Sequence, residues 1–328
     1  MKKIFVTLLA VIMACLAYCQ TVQSQEEPKG KAIFTIFSNF HAGLGDNNDA
    51  IGFELERSYL GYQYQFTKDI SAKVVFDIGK SSDVSDLQRV AYVKNAVVSW
   101  KKGGLKVNAG LTGLQQFDLQ EKYWGHRYVM KSFQDEYKFG SSADLGVVAQ
   151  YQFSSWLGAD LTCVNGEGYK KIQLDNKMLY AAGLTLTPVK GLALRVYGDY
   201  KGIQDPDSTQ CAQKNLSFFA GYKKDGIAVG AEYNKLFNSR NAVSKHQNGI
   251  SAYASCAIPH DFEIYARYDY LTSNDGWNAA KDGQFMLAGL QYTPCKNFRI
   301  SPCFRMQVPK DENDKLESSI YLYMEAKL

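Results

Sequence analysis

The stretch "GLALRVYGDY", residues 191–200, alternates between an oily face and a polar face. Leu194 and Val196 fall on one side of an extended chain, and Arg195 and Asp199 fall on the other. Because strand side chains point alternately to opposite faces, this pattern predicts a half-buried β-strand. The oily face meets either a protein core or lipid, and the polar face meets either bulk water or an enclosed channel.

The same alternation recurs along the chain and decides between these environments. Sixteen strand-like segments follow one another without a helical domain between them. Their connections are alternately short and long, and the long ones are rich in Asn, Asp, Ser and Gly, as in outer-membrane barrels. The predicted strands cover residues 31–42, 52–66, 70–80, 89–101, 104–112, 143–153, 156–164, 177–187, 191–201, 215–224, 226–236, 247–258, 261–271, 283–293, 297–307 and 317–328.

Charges of both signs lie on the polar face of strand after strand. A secreted β-sandwich, the competing interpretation, would need large apolar side chains filling a two-sided core. Closing about sixteen strands into a barrel instead surrounds water with the charges and leaves no sheet edge in lipid. The sequence therefore predicts an all-β transmembrane antiparallel β-barrel with short periplasmic turns and long extracellular loops.

The N-terminus has the three parts of a secretory signal. A basic start precedes the apolar run 4–16, and small or polar residues follow it. A spanning helix needs about 20 apolar residues, more than this run contains. We therefore expect a signal peptide over residues 1–24 and an outer-membrane barrel over 25–328, with lipid attachment at Cys15 as the rival interpretation.

Composition argues against several function classes. The net charge of +4 over 328 residues is too small to predict nucleic-acid binding, and the basic residues form no continuous run. The cysteines and the four histidines lack the spacing of a metal site. Neither a G-x-S-x-G nor a phosphate-loop motif occurs. We expect no enzyme, no cofactor, no catalytic residue and no metal site.

Three patches resemble the phosphate-selective porin O/P-like family of Gram-negative outer membranes. They are "FELERSYLGYQYQFTKDISAKVVFDIG" (53–79), "SSADLGVVAQYQF" (141–153) and "VNGEGY" (164–169). The resemblance implies a sixteen-stranded porin that usually forms a homotrimer. Phosphate selectivity in that family depends on lysines and arginines concentrated in the channel, a feature that this sequence does not clearly display.

The longest connection, residues 113–142, is the third long loop. Loops of this length are usually functional or disordered, and its aromatic residues argue against disorder. By resemblance to general porins, whose third loop narrows the lumen, we expect it to form the pore constriction; an exposed cap or a trimer contact is the alternative. The constriction candidates are Asp118, Glu121, Lys122, His126, Arg127 and Lys131.

Inward-facing charges on the strands are the candidate lumen residues. Opposed charges in a narrow pore select solutes by charge and size. The alternative is that they form cross-strand pairs that stiffen the wall. The lumen candidates are Arg57, Lys73, Asp77, Lys106, Arg195, Asp199, Glu263, Arg267, Asp269, Arg299 and Arg305.

These features together predict a porin of the bacterial outer membrane. It would form a channel for passive diffusion of small hydrophilic or ionic solutes, with lipid and small polar or anionic solutes as its partners. The alternative is a non-conducting barrel that acts as a receptor, adhesin or structural protein.

Overall fold

A computed structural model describes residues 29–45, 50–80, 89–173, 175–203, 206–311 and 315–328. The expected signal peptide lies outside these residues. Within them, no helix has both the length and the apolarity needed to cross a membrane. The strands are β1 (Lys29–Leu44), β2 (Ile51–Gln65), β3 (Ile70–Lys80), β4 (Arg89–Lys102), β5 (Leu105–Gly113), β6 (Ala143–Gln152), β7 (Leu157–Val164), β8 (Leu179–Leu186), β9 (Leu192–Lys201), β10 (Gln213–Lys224), β11 (Ile227–Phe237), β12 (Gln247–Ile258), β13 (Phe262–Ser273), β14 (Gly283–Cys295), β15 (Phe298–Pro309) and β16 (Glu317–Lys327).

The sheet closes on itself. Every strand pairs antiparallel with its sequence neighbours, and β1 pairs with β16 from Thr35 opposite Lys327 to Leu44 opposite Ser318. The predicted sixteen-stranded antiparallel barrel is therefore confirmed. Each predicted strand end lies within about two residues of the observed one, because a period-two pattern ends where the turn residues begin.

The two faces of β9 follow the alternation of the opening stretch. Ala193 and Tyr197 point inward and are 0% and 2% exposed, whereas Leu194 and Val196 point outward and are 38% and 46% exposed. The neighbouring strands carry apolar residues on the same outer face, Phe218 on β10 among them. The outside of the barrel is thus an apolar belt and the inside is polar.

Aromatic side chains lie near the end of the barrel with the short turns. The Tyr64 and Phe66 rings are 5.1 Å apart, and the Tyr151 and Phe153 rings are 4.8 Å apart. Rings with a polar handle favour the boundary between hydrocarbon and headgroups. This placement fits an interfacial girdle.

The connection from β5 to β6 carries two short helices that the strand pattern does not predict. They are α1 (Asp118–Trp124) and α2 (Phe133–Glu136). Helix α1 ends at Gly125, whose φ of 73° is left-handed and favours glycine. The other end of the barrel has short turns, such as Asp225 and Gly226 between β10 and β11.

Candidate functional site

Residues 114–142, called the inner loop from here on, fold into the barrel. Trp124 and Tyr128 are each 1% exposed. The Trp124 ring lies 5.3 Å from the ring of Tyr253 on β12 and 6.0 Å from that of Tyr265 on β13. Both tyrosines point inward, so the loop packs against the inside of the wall along β10–β16, called the packed side.

Glycines in the wall make room for the loop. A Cβ added to Gly249 on β12 would collide with the Phe133 ring, and one added to Gly221 on β10 would lie 2.7 Å from Cδ1 of Tyr123. The backbone of the wall can approach these rings only where no side chain intervenes. Close contact between loop and wall therefore depends on glycine at both positions.

Wall side chains also hold the loop backbone by hydrogen bonds to its carbonyl oxygens. A helix or strand would satisfy those oxygens internally, but an irregular buried loop requires outside donors. The five donors lie on four different strands, so the loop is held along much of its length. They are Arg195 to Gln115 (2.9 Å), Lys223 to Lys122 (2.8 Å), Arg299 to Gly125 (3.2 Å), Arg305 to Val129, and Arg267 to Lys131 (2.6 Å).

Two of these arginines also form buried ion pairs. Arg267 meets Asp269 at 2.7 Å, with side chains 1% and 0% exposed. Arg195 meets Asp160 at 2.6 Å, with side chains 4% and 7% exposed, and the pair lies where a Cβ on Gly183 would stand. These guanidinium groups therefore join the wall to the loop and contribute little charge to open solvent.

The side of the barrel opposite the packed side, along β2–β6, is lined by lysines. A cavity of about 330 Å³, called the inner cavity, is lined by Lys73, Lys106, Asp118 and Lys122. Next to it lies the middle cavity, also about 330 Å³, which shares Asp118 and Lys122. The edge of α1 thus faces the basic residues of the wall across open space.

Three cations converge on one phenol oxygen at the middle cavity. The Tyr59 hydroxyl accepts hydrogen bonds from Lys94 (3.0 Å), Arg57 (3.1 Å) and Arg127 (3.4 Å). Arg57 also lies 3.3 Å from Asp77. Sequence reasoning missed Tyr59 and Lys94, although their alternation within β2 and β4 could have placed both on the inner face.

A second connection, residues 165–173 between β7 and β8, also enters the lumen. The Asp144 carboxylate accepts hydrogen bonds from the backbone N–H groups of Gly166 (2.7 Å) and Gly168 (3.1 Å). The turn that results carries the Tyr169 hydroxyl to Asp77 on β3, to which it donates a hydrogen bond. The "NGEGY" patch therefore has a structural role, and Tyr169 is a lumen residue that sequence reasoning did not identify.

Burial and neighbouring charges set the protonation of the inner loop. Burial opposes the charge of Arg127, but Glu121 (2.6 Å) and Asp135 (2.8 Å) outweigh it and hold the pKa of the guanidinium well above its ordinary value. Burial also raises the pKa of Asp135, yet Arg127 lowers it further, so it lies below its ordinary value. Burial lowers the pKa of His126 to about 4.

The constriction candidates lie in several environments. Lys122 is exposed and pairs with Asp118 at 2.6 Å, and Lys131 lies 3.6 Å from Glu136. His126 is 2% exposed, and its Nδ1–H donates to the carbonyl oxygen of Trp124 at 2.7 Å. The constriction candidates that line the middle cavity are Asp118, Glu121, Lys122 and Arg127.

The lumen candidates divide between the two sides of the barrel. Arg299 lines the middle cavity and lies 3.4 Å from Glu325. Glu263 lies 3.7 Å from His126. The candidates on the open side are Arg57, Lys73, Asp77 and Lys106. The buried candidates are Arg267 and Asp269 on the packed side, and Arg195 and Asp199 on the adjoining strand β9. In the described ranges, no group of His, Cys, Asp or Glu has the arrangement of a metal site.

No family model and no curated protein matches the sequence. Solved structures do match: OmpF of Salmonella typhi, in complex with daunomycin, has 10% identity and a TM-score of 0.72 over 92% of this chain and 98% of its own. An anion-selective porin from Comamonas acidovorans has 9% identity and a TM-score of 0.71 over 92% and 100%. A trimer form of OmpT of Vibrio cholerae has 14% identity and a TM-score of 0.59 over 92% and 100%.

The class that this geometry defines is the sixteen-stranded porin-type β-barrel. The chain has that fold over all its strands, with the inner loop folded against one side of the lumen. At sequence identities of 9–14%, the similarity to these structures concerns the fold alone.

Proposed function

We propose that this chain is a porin of the bacterial outer membrane, through which small hydrophilic or ionic solutes diffuse passively. The observation that carries the proposal is a series of adjoining cavities. The outer cavity, about 530 Å³ at the long-loop end, shares Arg127 with the middle cavity. The middle cavity shares Asp118 and Lys122 with the inner cavity near the short turns. Together they pass the inner loop, from β14–β16 at the long-loop end to β2–β6 at the short-turn end.

The charges along this path favour anions weakly. The barrel wall contributes three lysines, Lys73, Lys94 and Lys106. The facing edge of α1 contributes two carboxylates, Asp118 and Glu121. Fixed charges of opposite sign across a narrow passage set up a transverse field that selects by charge and size. Preference for phosphate, which the family resemblance implies, is the finer proposal; the cations at Tyr59 are its support.

Export by a signal peptide over residues 1–24 and assembly into a homotrimer complete the proposal. The trimer form of OmpT, with the same fold, supports the second point. Fractionation of cell membranes tests localisation. Chemical cross-linking followed by gel electrophoresis tests the trimer, which should appear as a band of three times the mass of one chain. A folded protein found mostly in the soluble periplasm would contradict the membrane assignment.

Conductance of the purified protein in planar bilayers tests the channel. We expect stepwise conductance in potassium chloride and a reversal potential that indicates slight anion preference. The competing function is a non-conducting receptor, adhesin or structural barrel, favoured by the packing of the inner loop against β10–β16. A folded barrel that inserts without conducting would support that alternative and contradict the porin.

A further inference from the structure

The outer cavity has the size and lining of a small-molecule site. Its volume of about 530 Å³ lies within the range of about 300–1,000 Å³ usual for ligand pockets. It lies between the inner loop, the strands β14–β16 and a single 3-10 helical turn, Ala279–Lys281, in the long connection from β13 to β14. It is therefore distinct from the lysine-lined inner cavity.

Charges of both signs line this cavity, and only some of them form direct ion pairs. Arg127 is held by Glu121 and Asp135, and Lys131 lies 3.6 Å from Glu136. The remaining charged groups form no direct ion pair within the described part of the chain. They are Glu56 on β2, Glu317 on β16, Lys281 in the turn and Arg305 on β15.

One wall of the cavity is aromatic. Phe285 on β14 and Tyr321 on β16 both line it. The Arg305 guanidinium stacks on Tyr321, with its Cζ 4.6 Å from the ring centre, whereas it lies 5.9 Å from the centre of Phe285. Phe285 is therefore the less covered ring, available to an apolar or aromatic group.

We infer that the outer cavity binds zwitterionic solutes carrying a ring, such as short peptides with an aromatic side chain. The ammonium group pairs with Glu317 or Glu56, the carboxylate pairs with Lys281 or Arg305, and the ring lies against Phe285. A solute with one charge would leave half of these groups unused. The inference deepens the proposed function, because bound solutes would be those that then enter the channel.

Calorimetric titration of the detergent-purified full-length barrel with glycyl-phenylalanine tests the inference. N-acetylated glycyl-phenylalanine amide, which lacks both charges, is the matched probe. We expect it to bind at least about tenfold more weakly, since charge-assisted hydrogen bonds contribute most of the recognition. Equal affinity for the two peptides would overturn the inference.

A double variant, Glu317→Gln with Lys281→Gln, tests the site itself. Both side chains are exposed, so we expect the barrel to fold and to bind glycyl-phenylalanine about tenfold more weakly. Lys310→Gln, an exposed lysine of the same rim outside the cavity, is the control and should leave affinity unchanged. Wild-type affinity in the double variant would contradict the assignment. Because binding is measured without current, a barrel that binds but does not conduct would contradict only the porin.

Discussion

The guanidinium of Arg267 on β13 donates a 2.6 Å hydrogen bond to the carbonyl oxygen of Lys131 in the inner loop. The same guanidinium holds Asp269 through two further bonds, of 2.8 and 2.7 Å. One side chain therefore joins a buried ion pair in the wall to a loop 136 residues away in sequence. The position of the inner loop and the stability of the wall are consequently coupled.

Arg267→Gln should destabilise the barrel strongly. It leaves Asp269 buried without its partner, which typically costs about 3–5 kcal/mol, and it frees the loop at Lys131. Samples are heated to a series of temperatures before electrophoresis. The temperature at which the band moves from the folded to the unfolded position measures the effect. Arg240→Gln, at an exposed arginine in the long-loop end, is the control and should behave as wild type. Similar migration temperatures for both variants would argue against this coupling.

Leu194→Arg should destabilise the protein in lipid, because an arginine near the bilayer midplane of a barrel costs about 2–4 kcal/mol. Ser71→Arg, on the inner face of β3 beside the inner cavity, is the matched control and should be mild. Ala193 is unsuitable as a control, because it is 0% exposed beneath the inner loop. Folding yield into vesicles distinguishes the two variants, and equal yields would mean that the face assignment is wrong.

The double variant Lys73→Gln with Lys106→Gln should move the reversal potential toward cation preference. Both lysines line the inner cavity, where low-dielectric walls weaken screening by salt. Lys68→Gln with Lys102→Gln removes the same charge from exposed positions near the turns and should have a much smaller effect. If the two double variants shift the potential equally, the inner cavity does not set selectivity.

Acid should weaken the fold through His126, with no loss above pH 6.5. The imidazole has a pKa of about 4 when folded because it is buried, against about 6.5 when unfolded, so the unfolded state binds the extra proton between these values. Stability therefore falls as pH drops from 6.5 toward 4, by up to about 3 kcal/mol. Denaturant midpoints at pH 7.5 and pH 4.5 measure the loss. His126→Gln should reduce it, and His260→Gln, at an exposed turn, should not.

Replacing residues 118–136 by a short glycine linker should raise single-channel conductance. The deletion removes the segment that occupies the packed side, and it leaves Tyr253, Tyr265 and Phe219 of the wall without cover. We therefore expect a larger channel that unfolds more easily. Unchanged conductance in a correctly folded deletion variant would mean that the inner loop does not narrow the path.

Local alternation determined the barrel. Within each strand, the alternation of apolar and polar residues shows which face is apolar, as in β9, where Leu194 points outward and Arg195 inward. Turn residues mark where each strand ends, and the alternation of short and long connections orders the strands around the sheet. Period-two side-chain geometry is a local property, so it can be read without knowing any distant contact.

The partners of the inward charges were decided only by tertiary structure. Arg195, Arg267 and Lys73 look alike on the inner faces of their strands, yet the first two are buried against the inner loop and the third lines a cavity. Which wall the loop covers depends on glycines such as Gly249 and on carbonyl oxygens that need donors more than 100 residues away. Such contacts join positions that no local periodicity connects, because a loop's course is set by the whole surface against which it packs.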